Sequence, residues 1–357
     1  MPSLNNQSDL LSLEYGELCE LLLSLGEPKY RASQIFTSLH RGLVPHKMSN
    51  ISKATADRLE ATMPTRMPTI EEKYVSAVDG TVKYLLRLYD GNCIETVFMR
   101  YNHGNTVCVS TQVGCRMGCA FCASTIGGKI RDLSAGEILS QIIIASADTG
   151  ERVSGVVLMG IGEPLDNYDN VLRFLRLVND ERGVCIGYRH ISLSTCGHVD
   201  GIRRLMEEEL PITLSISLHA PDDEARDRIM PINKRWNVSS LLCACKEYFN
   251  RTGRRISFEY TLIDGHNASA EDAEHLARVL ISSLRGKRGD KFPIHVNIIP
   301  VNPVKETGLR PPSATEIQAF CAVLEKRGVR ATVRRKLGPD INASCGQLRR
   351  RHAQPVE

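Results

Sequence analysis

Nothing in this sequence stays apolar for long. The longest nearly apolar run, residues 138–147, is interrupted by Ser140 and Gln141, and it falls far short of the roughly 18 residues that cross a bilayer as a helix. The opening residues, MPSLNNQSDLLSLEYGE, carry no basic stretch leading into an apolar core, so no secretory signal is expected. Extreme composition is missing too. With 42% hydrophobic and 24% charged residues, a disordered tail, a collagen and a repeat array are excluded. Both phosphate-cradling patterns, GxGxxG and GxxxxGK[ST], are absent, which disfavours dinucleotide and nucleoside-triphosphate chemistry. A second CxxC pair is absent as well. From these gaps a soluble, cytoplasmic chain with no membrane partner is expected.

The chain has 357 residues, a length that suits two domains or one large α/β domain with an appendage. Net charge is only +4, but the basic residues are clustered. Between Lys326 and Arg351 nine Lys or Arg face a single acid, Asp340. Further clusters lie at Arg251, Arg254 and Arg255, and at Arg285, Lys287, Arg288 and Lys291. Clustering of this kind serves phosphate contacts, or equally a solvated face. Twelve cysteines without a secretory signal argue against a disulfide framework. Cys19, Cys185, Cys243, Cys245 and Cys321 sit in apolar or helical contexts and are assigned no role.

Helical patterns are expected over residues 13–25, 28–40 and 52–62. Past the Pro64 to Pro68 break the period changes to that of strands, over residues 70–75, 82–88 and 93–99, with turns at Asp79-Gly80 and Asp90-Gly91. From about residue 105 strand and helix alternate. Strands are expected at 106–111, 153–159, 190–194, 212–218, 255–262, 294–299 and 330–334. The clearest helix opens on a capping box, Ser134 to Glu137. Repeated βα units imply a parallel sheet, whose C-terminal strand ends are where ligands bind. Residues 1–100 are therefore read as a helical accessory region with hairpin strands, 101–340 as the core and 341–357 as a tail.

Cys115, Cys119 and Cys122 are the most informative residues. Three sulfurs within eight residues, just after a strand, can hold one metal centre. An electron-transfer cubane takes four protein ligands; three leave a position open, the mark of a catalytic centre. A structural zinc ion would need a fourth ligand, for which His103 or Cys108 is available in principle. Spacing favours the cluster over zinc.

CxxxCxxC after the first strand of a βα series closely resembles the signature of the radical S-adenosylmethionine (SAM) superfamily. That resemblance implies an α/β fold, an incomplete (β/α)6 TIM-type barrel, with a [4Fe-4S] cluster whose open iron binds SAM. It implies that Gly162-Glu163 meets the SAM ammonium, and that Ser194, Ser217, Leu218, His219 and Asn302 bond the rest of the cofactor. In the superfamily an electron from the cluster cleaves SAM to a 5′-deoxyadenosyl radical.

Residues 338–348 and 107–114, with Ser217 to Pro221 and Met230 to Asn233, look like the adenine-C2 RNA methyltransferases of the superfamily. They resemble less closely the adenine-C8 enzymes that confer ribosomal antibiotic resistance. The C2 carbon is electrophilic and cannot attack a SAM methyl group. The resemblance therefore implies that Cys345 first takes a methyl from one SAM, and that radical chemistry on a second SAM links this methyl to adenine. Cys108 then resolves the adduct through a transient disulfide, and Glu95 is the implied proton acceptor. Implied partners are 23S rRNA, tRNA and a low-potential flavodoxin- or ferredoxin-type electron donor, with the enzyme a monomer. A zinc-stapled, non-catalytic RNA-binding protein is the rival of another class.

Overall fold

The structure, a computed structural model, describes residues 9–285, 292–304, 307–344 and 347. Three helices lead: α1 (Tyr15–Ser24), α2 (Tyr30–His40) and α3 (Lys53–Thr62). Ser52 caps α3, its hydroxyl accepting from the Thr55 N–H at 3.1 Å. An antiparallel meander follows, β1 (Thr69–Val75), β2 (Val82–Arg87) and β3 (Cys93–Tyr101). Next come β4 (Gly104–Cys108) and a small hairpin of β5 (Gln112–Gly114) and β6 (Lys129–Asp132). Strand and helix then alternate through α4 (Ala135–Thr149), β7 (Val153–Leu158), α5 (Tyr168–Asn179), β8 (Ile191–Thr195), α6 (Val199–Glu207) and β9 (Thr213–Ser217). The series ends with α7 (Asp223–Ile229), α8 (Val238–Thr252), β10 (Ile256–Leu262), α9 (Ala270–Leu284), β11 (His295–Pro300), α10 (Ala314–Lys326) and β12 (Arg330–Val333).

All strands except β5 and β6 join one sheet of ten, in the order β1-β2-β3-β4-β7-β8-β9-β10-β11-β12. From β4 onward neighbours are parallel. Six strand–helix units closed by a seventh strand make the incomplete barrel. The sheet stays open because its ends are built as edges. β10 is buried along its whole length, whereas β1 and β12 are largely exposed. Glu71, Glu72 and Lys73 on β1 and Arg330 on β12 are charges that discourage further pairing.

The meander is not a separate layer. β3 pairs with β4 from Val97↔Cys108 to Tyr101↔Gly104, so a boundary at residue 100 falls inside β3. The first parallel strand also stops earlier than its β-branched pattern predicts. At Ser110 the sheet ladder gives way to a side chain: buried Gln141 of α4 accepts from the Ser110 N–H at 2.8 Å and donates to its carbonyl at 2.8 Å. Among the described residues no helix is long and apolar enough to cross a membrane.

The N-terminal helices share the core of the barrel. Leu18, Leu22, Ile35 and Phe36 lie in one apolar cluster with Ile138, Leu139 and Phe174. A polar knot pins the junction. The buried Asp9 carboxylate accepts from the Ser134 hydroxyl at 2.7 Å, and from the Ser12 hydroxyl at 2.7 Å and its N–H at 3.1 Å. Residue 136 has to be glycine here, since a Cβ would stand 2.2 Å from an Asp9 oxygen.

Burial outweighs these hydrogen bonds and lifts the Asp9 carboxyl to about 6. The folded chain then keeps a proton that the unfolded chain releases near pH 4. Stability from this group is present below pH 4 and lost as pH rises through about 6, by about 3 kcal/mol. Asp9→Asn, which carries no charge, should therefore gain stability relative to wild type between pH 4 and 7. Parallel thermal melts across that range check this; a constant difference between the two proteins would contradict it.

Candidate active site

A cleft of about 940 Å³, its mouth included, opens at the C-terminal ends of the parallel strands. Cys115, Cys119, Cys122 and Phe121 line one wall. Gly162, Glu163, Ser194, Ser217, His219 and Asn302 line the rest, together with Cys196, Glu259, Thr261 and Arg334. The residues expected to hold the cluster and most of those expected to hold SAM thus converge on one space.

The cysteine loop runs from β5 to β6. Gly114 makes this hairpin possible: its φ is +75°, and a Cβ there would sit 1.8 Å from the Gly128 carbonyl oxygen. The loop leans on the C-terminal end of α7, with the Ala120 N–H donating to the Ile229 carbonyl at 2.9 Å. Met117, Met230 and Cys196 pack with Cys115 and Cys119 in one apolar cluster. Burial pushes the Cys115 thiol up to about 12 and the Cys119 thiol well above its ordinary value, with the neighbouring thiols adding to the effect. Such sulfurs ionise only when a cation takes the place of the proton.

Three soft donors in an apolar pocket fit an iron–sulfur cubane. A cubane takes one thiolate at each of three irons and leaves the fourth open, which matches a donor set of three cysteines. His103 supplies no fourth ligand. It lies in the turn before β4, at the far end of that strand from the cysteine loop, stacked on Tyr101.

Beneath the loop is a buried cation that sequence reasoning missed. Arg226 of α7 is fully buried. It donates to the carbonyls of Leu218 (3.0 Å), Cys196 (2.6 Å) and Ser217 (3.1 Å), and to the side-chain oxygen of Asn233 (3.0 Å). One planar guanidinium thereby fixes the ends of β8 and β9 and the turn carrying Met230 to Asn233. In sequence it stands within Asp-Glu-Ala-Arg-Asp-Arg, which reads as a solvated face, so nothing local marks it as buried. Burial lowers its pKa.

Residues 107–114 act as a wiring segment. The Ser110 hydroxyl donates to the Glu95 carbonyl at 2.7 Å and accepts from the Ile161 N–H at 3.0 Å. Gln112 accepts from the Glu163 N–H at 2.9 Å and donates to Asp132 (2.8 Å) and Asp166 (2.9 Å). Gly162 has φ +109°, and a Cβ would stand 2.7 Å from Gln112, so only glycine lets the Gly-Glu-Pro turn approach. The Glu163 side chain spans two loops, accepting from the Leu165 N–H at 3.0 Å and the Cys196 N–H at 2.7 Å. Burial raises its pKa.

His219 occupies the left-handed region at φ 57°. Its Nδ1 accepts from the Thr261 N–H at 2.9 Å, and its ring meets Phe121 edge-on with centroids 4.7 Å apart. Burial, then the Arg226 charge, drives its pKa down to about 3. The ring is therefore neutral with its proton on Nε2, a fixed donor in the cleft wall. Leu218 does not line the cleft. Its side chain is fully buried, and its carbonyl is taken by Arg226.

Cys108 ends β4, buried in a small apolar cluster with Val97, Met99, Ile161 and Leu337, against which Met159 and Ala343 pack. Met159 also lines the cleft. Cys108 thus stands between the cleft and the tail. Glu95 lies outside the cleft lining, buried on β3 and paired with Lys83 at 3.4 Å. Cys345 falls outside the described residues.

Residues 109–279 match the radical SAM superfamily, and residues 8–64 match the ribosomal RNA large subunit methyltransferase N-terminal domain. The chain is 49% identical over 350 residues to the probable dual-specificity RNA methyltransferase RlmN of Clostridium acetobutylicum, covering 98% of this chain and 99% of that one. It is 50% identical over 348 residues to the protein of the same description from Alkaliphilus oremlandii, covering 97% and 98%. The crystal structure of a radical SAM methyltransferase from Sphaerobacter thermophilus superposes with a TM-score of 0.89 at 41% identity, covering 96% of this chain and 99% of that one. Membership of the superfamily implies a [4Fe-4S] cluster and SAM. Cysteine loop, cleft and N-terminal helices together place this chain in the RlmN family of radical SAM methyltransferases.

Proposed function

We propose that this chain is a dual-specificity RNA methyltransferase that methylates C2 of adenine, in the peptidyl-transferase-centre adenosine of 23S rRNA and in the adenosine 3′ of the tRNA anticodon. It works in the cytoplasm as a monomer, and a flavodoxin- or ferredoxin-type protein supplies the electrons. The observation that carries this reading is the position of Cys108, buried between the cleft and a patch formed by Leu337, just before the tail, and Ala343 within it.

Cys115, Cys119 and Cys122 hold the cluster, and Gly162, Glu163, Ser194, Ser217, His219 and Asn302 hold SAM. When bound, these groups supply a methyl group from one SAM and a 5′-deoxyadenosyl radical from a second. The Cys345 sulfur accepts the methyl group by displacement. That S-methyl group then loses a hydrogen atom and bonds to C2 of an adenine unstacked from a loop. Glu95 takes the ring proton. Cys108 then bonds to the Cys345 sulfur as the sulfur–carbon bond breaks, the freed methylene carbon takes up a proton, and the one electron left over passes back to the low-potential electron carrier; the methylated RNA departs and external reductant opens the disulfide. The N-terminal helices of residues 1–100 and the basic residues toward the C-terminus supply contacts to the RNA backbone.

Mass spectrometry of nuclease-digested RNA, treated with anaerobically purified brown enzyme, SAM and reductant, tests the reading. 2-Methyladenosine is expected, in both rRNA and tRNA. 8-Methyladenosine would establish the C8 reaction of the related resistance enzymes. A colourless, zinc-containing protein that modifies no RNA would overturn the enzyme reading.

A further inference from the structure

We propose that Arg235, Trp236 and His198 form a stacking platform for an unpaired nucleotide beside the target adenosine, a role that rests on the function proposed above. Trp236 is the only tryptophan in the chain, and it directly follows two exposed cations, Lys234 and Arg235. The indole is half-buried and packs against the main apolar cluster. The Arg235 guanidinium lies over its ring, 4.2 Å from the centroid. The His198 ring meets the same indole with centroids 4.5 Å apart and planes 49° from parallel.

Short stretches of chain tie this group to the cleft from both sides. His198 lies two residues beyond Cys196, which lines the cleft, so their Cα atoms are at most about 7 Å apart. Trp236 follows the turn Pro231–Lys234, which starts immediately after cleft-lining Met230. Both rings are held in place. The His198 Nδ1 accepts from the Gly201 N–H at 3.0 Å. Asn233 anchors the turn, accepting from buried Arg226 at 3.0 Å and donating to Asp227 at 2.9 Å. The Trp236 backbone N–H donates to the Ile232 carbonyl at 3.1 Å.

An adenine can enter the cleft only by leaving its stack. Its neighbours then expose π faces, which an aromatic ring or a planar guanidinium covers without reading sequence. That tolerance suits the two RNA substrates proposed above. Arg235 also pairs with Asp200 at 3.5 Å, but both side chains are more than half exposed. Such a pair contributes little, and a base stacked on the guanidinium face leaves it in place. Lys234 supplies a positive charge for the adjoining phosphate.

Because Trp236 is the sole tryptophan, its fluorescence reports this site alone. The experiment titrates anaerobic holoenzyme with an RNA stem-loop carrying an unpaired adenosine, and with a fully paired RNA of equal length. Anisotropy of end-labelled RNA gives Kd in parallel. The stem-loop should quench Trp236 and the paired RNA should not. Trp236→Leu keeps apolar bulk and changes no charge. It should raise Kd for the stem-loop about tenfold and leave that for the paired RNA unchanged, with wild-type melting temperature and iron content. Trp236→Phe, which retains a ring, should recover part of the affinity, and Arg235→Ala should weaken the stem-loop more than the paired RNA. Stem-loop binding without quenching, or equal losses for both RNAs in Arg235→Ala, would overturn the platform and leave the RNA function standing. If wild type binds neither RNA, the function proposed above fails and the platform falls with it.

Discussion

Cys108→Ala enzyme supplied with SAM, reductant and substrate RNA is expected to stop at a covalent RNA–protein adduct. Turnover should cease after at most one equivalent, and a retarded band should appear on a denaturing gel. Once the Cys345 methyl carbon is bonded to C2, release requires a second sulfur to take over the Cys345 sulfur. The proposed mechanism gives that task to Cys108, which lies in the apolar cluster shared with Leu337 and Ala343. No alternative stands nearby in the same cluster: its other members are Val97, Met99, Ile161 and Leu337, none of which can form a disulfide. Removing one buried sulfur costs about 1 kcal/mol, too little to unfold the barrel, so loss of folding would not explain the block. A variant that consumes SAM yet accumulates no adduct would remove Cys108 from the mechanism.

Arg226→Met is expected to lose the cluster and a large share of the stability around it. The substitution matches the side chain's bulk but deletes every donor. The carbonyls of Cys196 and Ser217 lose the guanidinium that bonds them, while that of Leu218 keeps the Ala220 N–H at 2.8 Å. Each buried unsatisfied group costs about 1–3 kcal/mol, and breaking a buried charged network typically costs about 3–5 kcal/mol. At about 2–4 °C per kcal/mol for a chain of this size, Tm should fall by roughly 10 °C. Because the Cys196 and Met230 segments pack against Cys115 and Cys119, iron retained after desalting should fall in parallel. Arg226→Lys, with one compact head in place of a fork, should lie between the two. Full iron content with an unchanged melt would refute the scaffold role.

Legibility in the sequence followed the range of the interactions. The gathering of the three cysteines on one wall of the cleft could be read because it needs only spacing within a single loop. Helix starts were legible for the same reason: Ser52 and the Ser134 to Glu137 box satisfy backbone donors within one turn. The early stop of β4 was not legible, since it depends on Gln141, which arrives from α4 thirty-one residues away. Asp79-Gly80 announced a turn correctly, but not that Gly338 and Asp340 close on it from the other end of the chain.

The sequence by itself determined the alternation of strands and helices, the cysteine loop and the Gly-Glu-Pro turn, all set by periodicity or by short covalent spacing. Only the tertiary structure decided that Arg226 is a buried strut, that His219 is held neutral, that Leu218 faces away from the cleft and that the tail docks beside Glu95. Those outcomes depend on burial and on hydrogen-bond partners brought together from distant segments, and a desolvated charge or a reciprocal carboxylate contact exists only once the chain has folded around it.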